Sequence, residues 1–182
     1  AELVEKSSLK NASIFKTSIN ETNSFKPLLE HLKKQQRHNE MNSSDKIFRI
    51  AIDRAFAISG AGTVITGTVH SGSVAVNDTL IHYPSNKPAK VRGLRAQNSE
   101  VEVAKPGDRC SINLTGIGFD EIERGDWLTT IPLPKPSNLS VELKTLPNFP
   151  RAIKHWSPVH IYHATSHSTG RIALFESNSL KP

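Results

Sequence analysis

The fold is decided by residues 48–72, which read FRIAIDRAFAISGAGTVITGTVHSG. Two apolar, β-branched runs flank a small-residue loop, and their alternation is carried by Ile50, Ile52 and Val64. A spacing of two predicts half-buried strands rather than a helix. Asp53 and Arg54 interrupt the first run, where successive side chains point to opposite faces of a strand. This charged pair inside an apolar strand requires an explanation.

The composition is that of an ordinary soluble protein, with 36% hydrophobic and 22% charged residues among 182. A formal charge of +6 and a pI near 9.6 favour polyanionic partners such as nucleic acid. The sequence has neither a membrane-length apolar run nor a signal-peptide pattern. The single cysteine, Cys110, excludes an internal disulfide and leaves two interpretations, a small core residue or a reactive thiol. Together these features predict a cytoplasmic protein.

Three parts follow one another along the chain: residues 1–45, 46–131 and 132–182. The first part predicts a short strand over Ala12–Thr17 and then a helix capped by Ser24, followed by a polar linker. The apolar face of that helix consists of Phe25, Leu28, Leu29 and Leu32, spaced i, i+3, i+4 and i+7.

The second part, residues 46–131, alternates short apolar runs with turn signals about every ten residues, which predicts a small closed barrel or a sandwich. A proline-rich connector opens the third part. Its strands are predicted at Val141–Leu143, Val159–His163 and Arg171–Phe175. Three strands cannot close a barrel, so we expect a mainly β chain that is a piece of a longer protein, truncated in its first and last domains.

No complete catalytic or nucleotide-binding motif is present in the sequence. The glycines of Gly60-Ala61-Gly62 and Gly116-Ile117-Gly118 are not followed by Gly-Lys-Ser/Thr and a helix, so they predict hairpin loops rather than a phosphate-binding loop. Two interpretations are open for His160, His163 and His167: a metal site, or ordinary histidines of strands and turns. The spacing expected of zinc ligands is absent, which favours the second interpretation, so we predict no metal. Nor is there a nucleophile elbow.

Asp53, Arg54, Arg92 and Arg95 are the candidate binding residues. They are either solvated charges on a barrel face or a ligand site. A carboxylate combined with guanidinium groups suits a zwitterion such as an aminoacyl group. Arg92 and Arg95 lie three residues apart and face opposite ways unless a bulge intervenes at Gly93.

Residues 48–130 resemble domain 2 of translational GTPases of the elongation factor Tu class. The resemblance is carried by GAGTVITGTV, SGSVAVNDTL, KPGDRCSINLTGI and IERGDWL. Asn77 stands where that family usually has a glycine before Asp78, and asparagine tolerates the positive φ that a hairpin needs there. IAIDRAF, VRGLRAQN and RGDWL make the chain more similar still to the selenocysteine-specific elongation factors. Residues 16–32 are similar to the end of a G domain, and HIYHATSHSTGRIAL to the start of domain 3.

The resemblance implies a Greek-key-like barrel flanked by a remnant of a G domain and an incomplete second barrel. An intact member binds GTP with Mg²⁺, delivers selenocysteinyl-tRNA to the ribosome, and reads an mRNA element through a C-terminal extension. This chain is then expected to hold neither a complete GTP site nor a cofactor. It supplies the aminoacyl pocket, at Asp53, Arg54, Arg92 and Arg95, and part of the tRNA-facing surface. The resemblance places that surface at His163, Thr165, His167, Thr169 and Arg171. Two alternatives stay open: another translational GTPase of the initiation factor type, and a stand-alone β-barrel binding module.

Overall fold

The computed structural model describes residues 2–5, 9–36, 46–60, 62–145, 149–175 and 179–180. These residues fold into two compact units. Unit 1 takes in the described residues up to position 36, between 140 and 158, and from 171 to 180. Unit 2 takes in the described residues from 46 to 139 together with 159–170. The division into 1–45, 46–131 and 132–182 stays a prediction.

Unit 2 is built from strands of the middle part of the chain. Their bounds are β1 Arg49–Ile58, β2 Gly62–Ser71, β3 Val74–Ala75, β4 Thr79–Tyr83, β5 Pro88–Ala96, β6 Ser99–Val101, β7 Val103–Ala104, β8 Arg109–Thr115 and β9 Trp127–Thr129. A 3₁₀ turn, Phe119–Glu121, lies between β8 and β9. The mainly β fold that the sequence predicts is confirmed.

Six strands close into a barrel in the order β4-β9-β1-β2-β8-β5, and an additional pairing of β5 with β4 completes the ring. The seventh strand of the sheet, β6, pairs with β5 outside this ring. Closure removes the exposed strand edges that an open sheet of this size would present. Of the two architectures that the turn spacing allowed, the barrel is therefore the correct one.

The barrel interior is filled by alternate side chains of these strands. The largest fully buried ones are Phe48, Ile50, Ile52, Ile65, Leu80, Ile112, Leu114 and Leu128. Alternation along β2 and β8 leaves their other side chains on the outer surface. Cys110 is buried in this core, which agrees with the structural interpretation of the thiol; burial raises its pKa to about 11.

One buried polar group, His82, is satisfied on both ring nitrogens. Its Nδ1 lies 2.7 Å from Ser85 Oγ and its Nε2 lies 3.0 Å from Asp126 Oδ2. The same Asp126 oxygen accepts the backbone N–H of Glu123 at 2.8 Å. The three side chains therefore join the β4–β5 turn to the turn that precedes β9.

A hairpin of β11, Ser157–His163, and β12, Ser166–Ile172, contributes residues 159–170 to unit 2. Thr165 Oγ1 donates to the Ile52 carbonyl at 2.8 Å, and the rings of Trp127 and His163 stack at 5.7 Å. At Gly125, where φ is +102°, a Cβ would lie 2.7 Å from Ser166 Cα. This glycine therefore permits the close approach of the hairpin to the barrel.

Unit 1 contains the helices α1, Glu2–Glu5, and α2, Lys26–Gln36, and the short strands β10, Ile153–Lys154, and β13, Ser179–Leu180, which pair. The helix predicted after Ser24 is confirmed, with Pro27 in its first turn. Ser24 Oγ donates to the Glu21 carbonyl at 2.7 Å and accepts the Ser18 N–H at 2.9 Å, so it fixes the preceding turn.

Three predicted strands are wrong in whole or in part. Ala12–Thr17 and Val141–Leu143 form no strand, and the run Arg171–Phe175 is strand only at Arg171–Ile172, the end of β12. Apolar alternation favours a strand only where a neighbour supplies hydrogen bonds, and among the described residues no strand pairs with the first two segments.

Candidate functional site

A β-bulge in β1 places the two charged residues of the opening segment on the outside of the barrel. Ile52 pairs with Gly67 of β2 and Arg54 with Thr66, so Asp53 is the extra residue. Ile52 and Ala55 both contact the core although they lie three residues apart. Asp53 and Arg54 consequently lie together on the outer surface, rather than on opposite faces as strict alternation predicts.

The Asp53 carboxylate is held by two neighbours that the sequence argument did not select. Thr66 Oγ1 donates to its Oδ1 at 2.5 Å, and Arg109 Nη1 donates to its Oδ2. Asp53 is half-buried, with 17% of its side chain exposed, whereas Arg109 is 61% exposed. The guanidinium of Arg109 therefore faces solvent, while the Asp53 carboxylate that it contacts is held in place by Thr66.

Electrostatics keep this carboxylate ionised. Burial acts to raise the pKa of Asp53, but the hydrogen bonds from Arg109 and Thr66, and the charges of Arg109 and Arg54, outweigh it and lower that pKa. The hydrogen bond and the charge of Asp53 raise the pKa of Arg109 in turn. Asp53 and Arg109 thus form an ion pair at neutral pH.

A second bulge brings both predicted arginines of β5 to the outer surface. Val91 pairs with Leu114 of β8 and Gly93 with Asn113, which leaves Arg92 as the extra residue. Val91 and Leu94 are both buried, whereas Arg92 and Arg95 are both exposed. The bulge that the sequence argument named as a condition is therefore present.

Strand register places Arg54 and Arg95 in one row across the outer face. Arg54 pairs with Thr66, Thr66 with Ser111 of β8, and Ser111 with Arg95. With strands about 4.8 Å apart, the two ends of this row are separated by roughly 14 Å. Arg95 Nη2 donates to the Asn98 carbonyl at 3.3 Å, and neither Arg92 nor Arg95 contacts Asp53. The structure thus joins Asp53 to Arg109 rather than to Arg92 or Arg95.

The next row along carries an amide acceptor. Asn113 faces Val64 of β2 on one side and Gly93 of β5 on the other. Its Oδ1 is buried without a hydrogen-bond partner among the described residues. A Cβ added at Gly93 would meet nothing within 4 Å, so the surface is open there. An unpaired buried acceptor beside open space is a site at which a ligand N–H or O–H gains a hydrogen bond.

The outer-face site is defined here as Asp53, Arg54, Thr66, Arg95, Arg109 and Asn113. Three of these residues, Arg109, Thr66 and Asn113, were not predicted from the sequence. Their alternation with the core residues of β2 and β8 does mark them as outward-facing. Which outward residues lie opposite Asp53, however, is fixed by strand register and by the bulge, which single-sequence alternation does not reveal.

The predicted tRNA-facing residues lie on the hairpin, and several are engaged within the protein. His163 stacks on Trp127, and Thr165 donates to Ile52. His167 Nε2 lies 2.8 Å from His160 Nδ1. Thr169 is exposed on β12, and Arg171 Nη1 donates to the Trp156 carbonyl at 3.2 Å. Their role in RNA contact stays a prediction.

Two broader findings concern metals and membranes. In the described residues, no group of three or more His, Cys, Asp or Glu side chains is arranged to hold a metal ion. The described helices include none with the length and apolar character needed to cross a bilayer.

Comparison with known proteins identifies two family models along the chain. The model of elongation factor Tu domain 2 matches residues 62–129, and that of the β-barrel domain of selenocysteine-specific elongation factor matches residues 138–180. The selenocysteine-specific elongation factor of Escherichia coli is 41% identical over 179 residues, which cover 97% of this chain and 28% of that protein. Its counterpart in Haemophilus influenzae is 36% identical over 94% of this chain and 27% of that protein.

A solved structure agrees with these matches. The apo form of translation elongation factor SelB from Methanococcus maripaludis superimposes with a TM-score of 0.73 and 25% identity, covering 99% of this chain and 42% of that one. The chain thus spans between a quarter and a half of the length of these relatives. Taken with the barrel and its matching motifs, these similarities show that the chain belongs to the family of selenocysteine-specific elongation factors.

Proposed function

We propose that this chain holds the aminoacyl end of selenocysteinyl-tRNA within a selenocysteine-specific elongation factor. The observation that carries the proposal is the pairing of Asp53 with Arg109 beside the exposed Arg54. Two guanidinium groups around one fixed carboxylate leave a net positive charge on the surface. Such a surface favours an anionic side chain.

A carboxylate in an aminoacyl site suggests a receptor for the substrate ammonium group, and we propose a different role for Asp53. Both of its oxygens already accept hydrogen bonds, from Thr66 and Arg109. We therefore assign Asp53 as a positioning residue that orients Arg109, rather than as the receptor of the substrate ammonium group. Arg109 and Arg54 become the anion-binding groups, and the orphan Oδ1 of Asn113 becomes an acceptor for a donor of the terminal nucleotide or of the α-amino group.

The chemistry of the amino acid explains why such a site discriminates. A selenol is more acidic than a thiol and far more acidic than the serine hydroxyl, so near neutral pH the selenocysteinyl group is largely a selenolate. A guanidinium–selenolate contact is charge-assisted and exceeds the contribution of about 1 kcal/mol of a neutral hydrogen bond. The serine hydroxyl of seryl-tRNA is uncharged near neutral pH, so it makes no charge-assisted contact with these arginines and seryl-tRNA is bound less tightly.

The whole protein's activity is part of the same proposal. Its relatives are named as translation elongation factors, and a solved SelB structure contains a GTP analogue. We propose that the intact factor is a GTPase that uses GTP and Mg²⁺, works on the ribosome in the cytoplasm, and reads a selenocysteine-insertion element in mRNA through a C-terminal extension. The nucleotide chemistry is assigned to that factor and not to this chain.

The proposal is tested by affinities for selenocysteinyl-tRNA and seryl-tRNA in a factor that carries this chain with the remaining domains of its relatives. We expect Arg109→Ala to reduce the preference for selenocysteinyl-tRNA by about 10- to 100-fold, the equivalent of one charge-assisted hydrogen bond. Arg92→Ala is expected to reduce it much less, and Lys105→Ala, which removes an exposed cation outside the site, should leave it unchanged. An unchanged preference in Arg109→Ala contradicts the assignment.

A further inference from the structure

Three aromatic or imidazole rings lie together on the exposed hairpin of unit 2. His167 stacks on Tyr162, with ring centroids 4.6 Å apart and an interplanar angle of 23°. Its centroid lies 5.1 Å from that of His160 at an interplanar angle of 15°, and the 2.8 Å separation of their nitrogens shows that these two rings meet edge to edge, nearly in one plane. Tyr162 is 75% exposed, so one face of its ring is open to solvent. We call these three residues the hairpin stack.

The stack is ordered before any ligand binds. His160 and Tyr162 are two residues apart on β11 and therefore project from the same face of the hairpin. His160 Nδ1 and His167 Nε2 share a hydrogen bond of 2.8 Å, which fixes the relative orientation of two of the rings. A preordered stack loses little side-chain entropy when another flat ring is added to it.

The charge of the surrounding sequence is entirely positive. Residues 143–175 contain no aspartate or glutamate. The same 33 residues contain four cations and four histidines, namely Lys144, Arg151, Lys154, Arg171, His155, His160, His163 and His167. The hairpin itself, residues 157–172, contains Arg171 and three of these histidines and no acidic residue. An exposed ring accompanied by a cation and by no acid is a combination by which proteins bind single-stranded nucleic acid.

We propose that the hairpin stack binds an unpaired nucleobase of RNA, with the base lying on the open face of Tyr162. The inference rests on the proposed function, which makes RNA the partner, and it deepens the predicted tRNA-facing role of the hairpin. A phosphate needs only cations, whereas the open face of Tyr162, whose other face lies on His167, matches the face of a base. In a duplex the base faces are covered by their neighbours, so the site selects a base that is unstacked.

The test uses a short single-stranded oligouridylate RNA, whose bases stack weakly on one another, carrying 2-aminopurine at its centre and titrated with the 182-residue chain. Stacking on the ring quenches the 2-aminopurine, and fluorescence anisotropy of the same probe gives the affinity. We expect Tyr162→Leu to weaken binding by about 5- to 100-fold, the usual range for the loss of one stacked base, and to abolish the quench. Tyr162→Phe, which keeps the ring, should restore both.

Phe175→Leu is the matched control, because it removes an equally exposed ring, 88% accessible, from the same acid-free segment. It should bind the probe as the unmodified chain does. A blunt-ended RNA duplex of equal charge is expected to bind more weakly and without sensitivity to Tyr162. The inference is overturned if the chain does not bind the single strand, if Tyr162→Leu matches Phe175→Leu, or if the duplex binds as well as the single strand.

The probe carries no aminoacyl ester, so its result does not depend on Arg109 or Asp53. Loss of selenocysteinyl discrimination without loss of probe binding would separate the two sites. If the outer-face site proved wrong, Tyr162→Leu would still weaken binding of the oligouridylate probe. If the hairpin stack proved wrong, Arg109→Ala would still alter the preference for selenocysteinyl-tRNA.

Discussion

Replacing Thr66 with valine removes one of the two hydrogen bonds that hold Asp53, while keeping the shape of the side chain. A hydrogen bond to a charged group contributes about 1.5–3 kcal/mol, and Asp53 is half-buried, so we expect the full effect to be felt. The ion pair with Arg109 is more exposed and is expected to contribute only about 0.2–1 kcal/mol. Thr66→Val should therefore destabilise the barrel by about 1.5–2.5 kcal/mol at pH 7, more than Arg109→Gln does.

The sign of the pH dependence follows from the lowered pKa of Asp53. A carboxyl whose pKa is lower in the folded state than in the unfolded state stabilises the fold above the unfolded value, near 3.9. That contribution is lost as the pH falls through the folded-state pKa. The cost of Thr66→Val should accordingly be largest at neutral pH and should shrink below about pH 4, and the variant should also raise the pKa of Asp53 towards its ordinary value.

Two measurements check this prediction. Urea unfolding, followed by the amide NMR signals of β1 and β2, reports the barrel by itself at pH 7 and at about pH 3. The carboxyl ¹³C signal of Asp53 reports its pKa directly. Thr68→Val is the control, because Thr68 is an exposed, outward residue of the same strand. Equal costs for the two threonines, or a cost for Thr66→Val that does not change with pH, would refute the reasoning.

Two further predictions concern the core and its thiol. A Cβ at Gly67 would lie 2.3 Å from the Ala51 carbonyl oxygen, so Gly67→Ala should destabilise the barrel by about 2–3 kcal/mol in urea unfolding. A Cβ at Gly93 would meet nothing within 4 Å, so Gly93→Ala should change the free energy of unfolding by no more than about 0.5 kcal/mol. Equal costs for the two variants would contradict this packing. Burial raises the pKa of the Cys110 thiol to about 11, so the folded chain should be inert to a disulfide reagent at about pH 8. In denaturant the thiol should react fully. Fast reaction of the folded chain would contradict burial of the thiol.

The strands of the barrel could be predicted from the sequence because most of them alternate apolar and polar residues, whereas the choice of a barrel over a sandwich came from the family resemblance. The inward positions of β2 and β8 are apolar or small at nearly every second residue, and turn residues separate the runs. The failures occurred where that pattern lacked a partner. Val141–Leu143 alternates as a strand does, yet in the described residues no neighbouring strand pairs with it. Local pattern gives the tendency to form a strand, whereas pairing depends on distant residues.

The candidate site was predictable only in part, for a related reason. Asp53 and Arg54 stood out because charge is unusual inside an apolar run. Arg109 did not, because an arginine that opens a strand after Pro-Gly-Asp looks like an ordinary exposed charge. Arg109 lies 56 residues from Asp53 in the sequence. The bulge at Asp53 and the β2–β8 register bring the two together, and neither can be read from the sequence pattern.

Anion binding by Arg54 and Arg109 is tested most directly on the arginine side chains themselves. The chain, labelled with ¹⁵N arginine, is titrated with stable amide analogues of selenocysteinyl-adenosine and seryl-adenosine, and the Nε–H signals are recorded. We expect the signals of Arg54 and Arg109 to shift with the selenocysteinyl analogue and far less with the seryl analogue, and we expect Asp53→Asn to weaken the response of Arg109. Equal shifts with both analogues, or shifts confined to Arg92 and Arg95, would contradict this expectation.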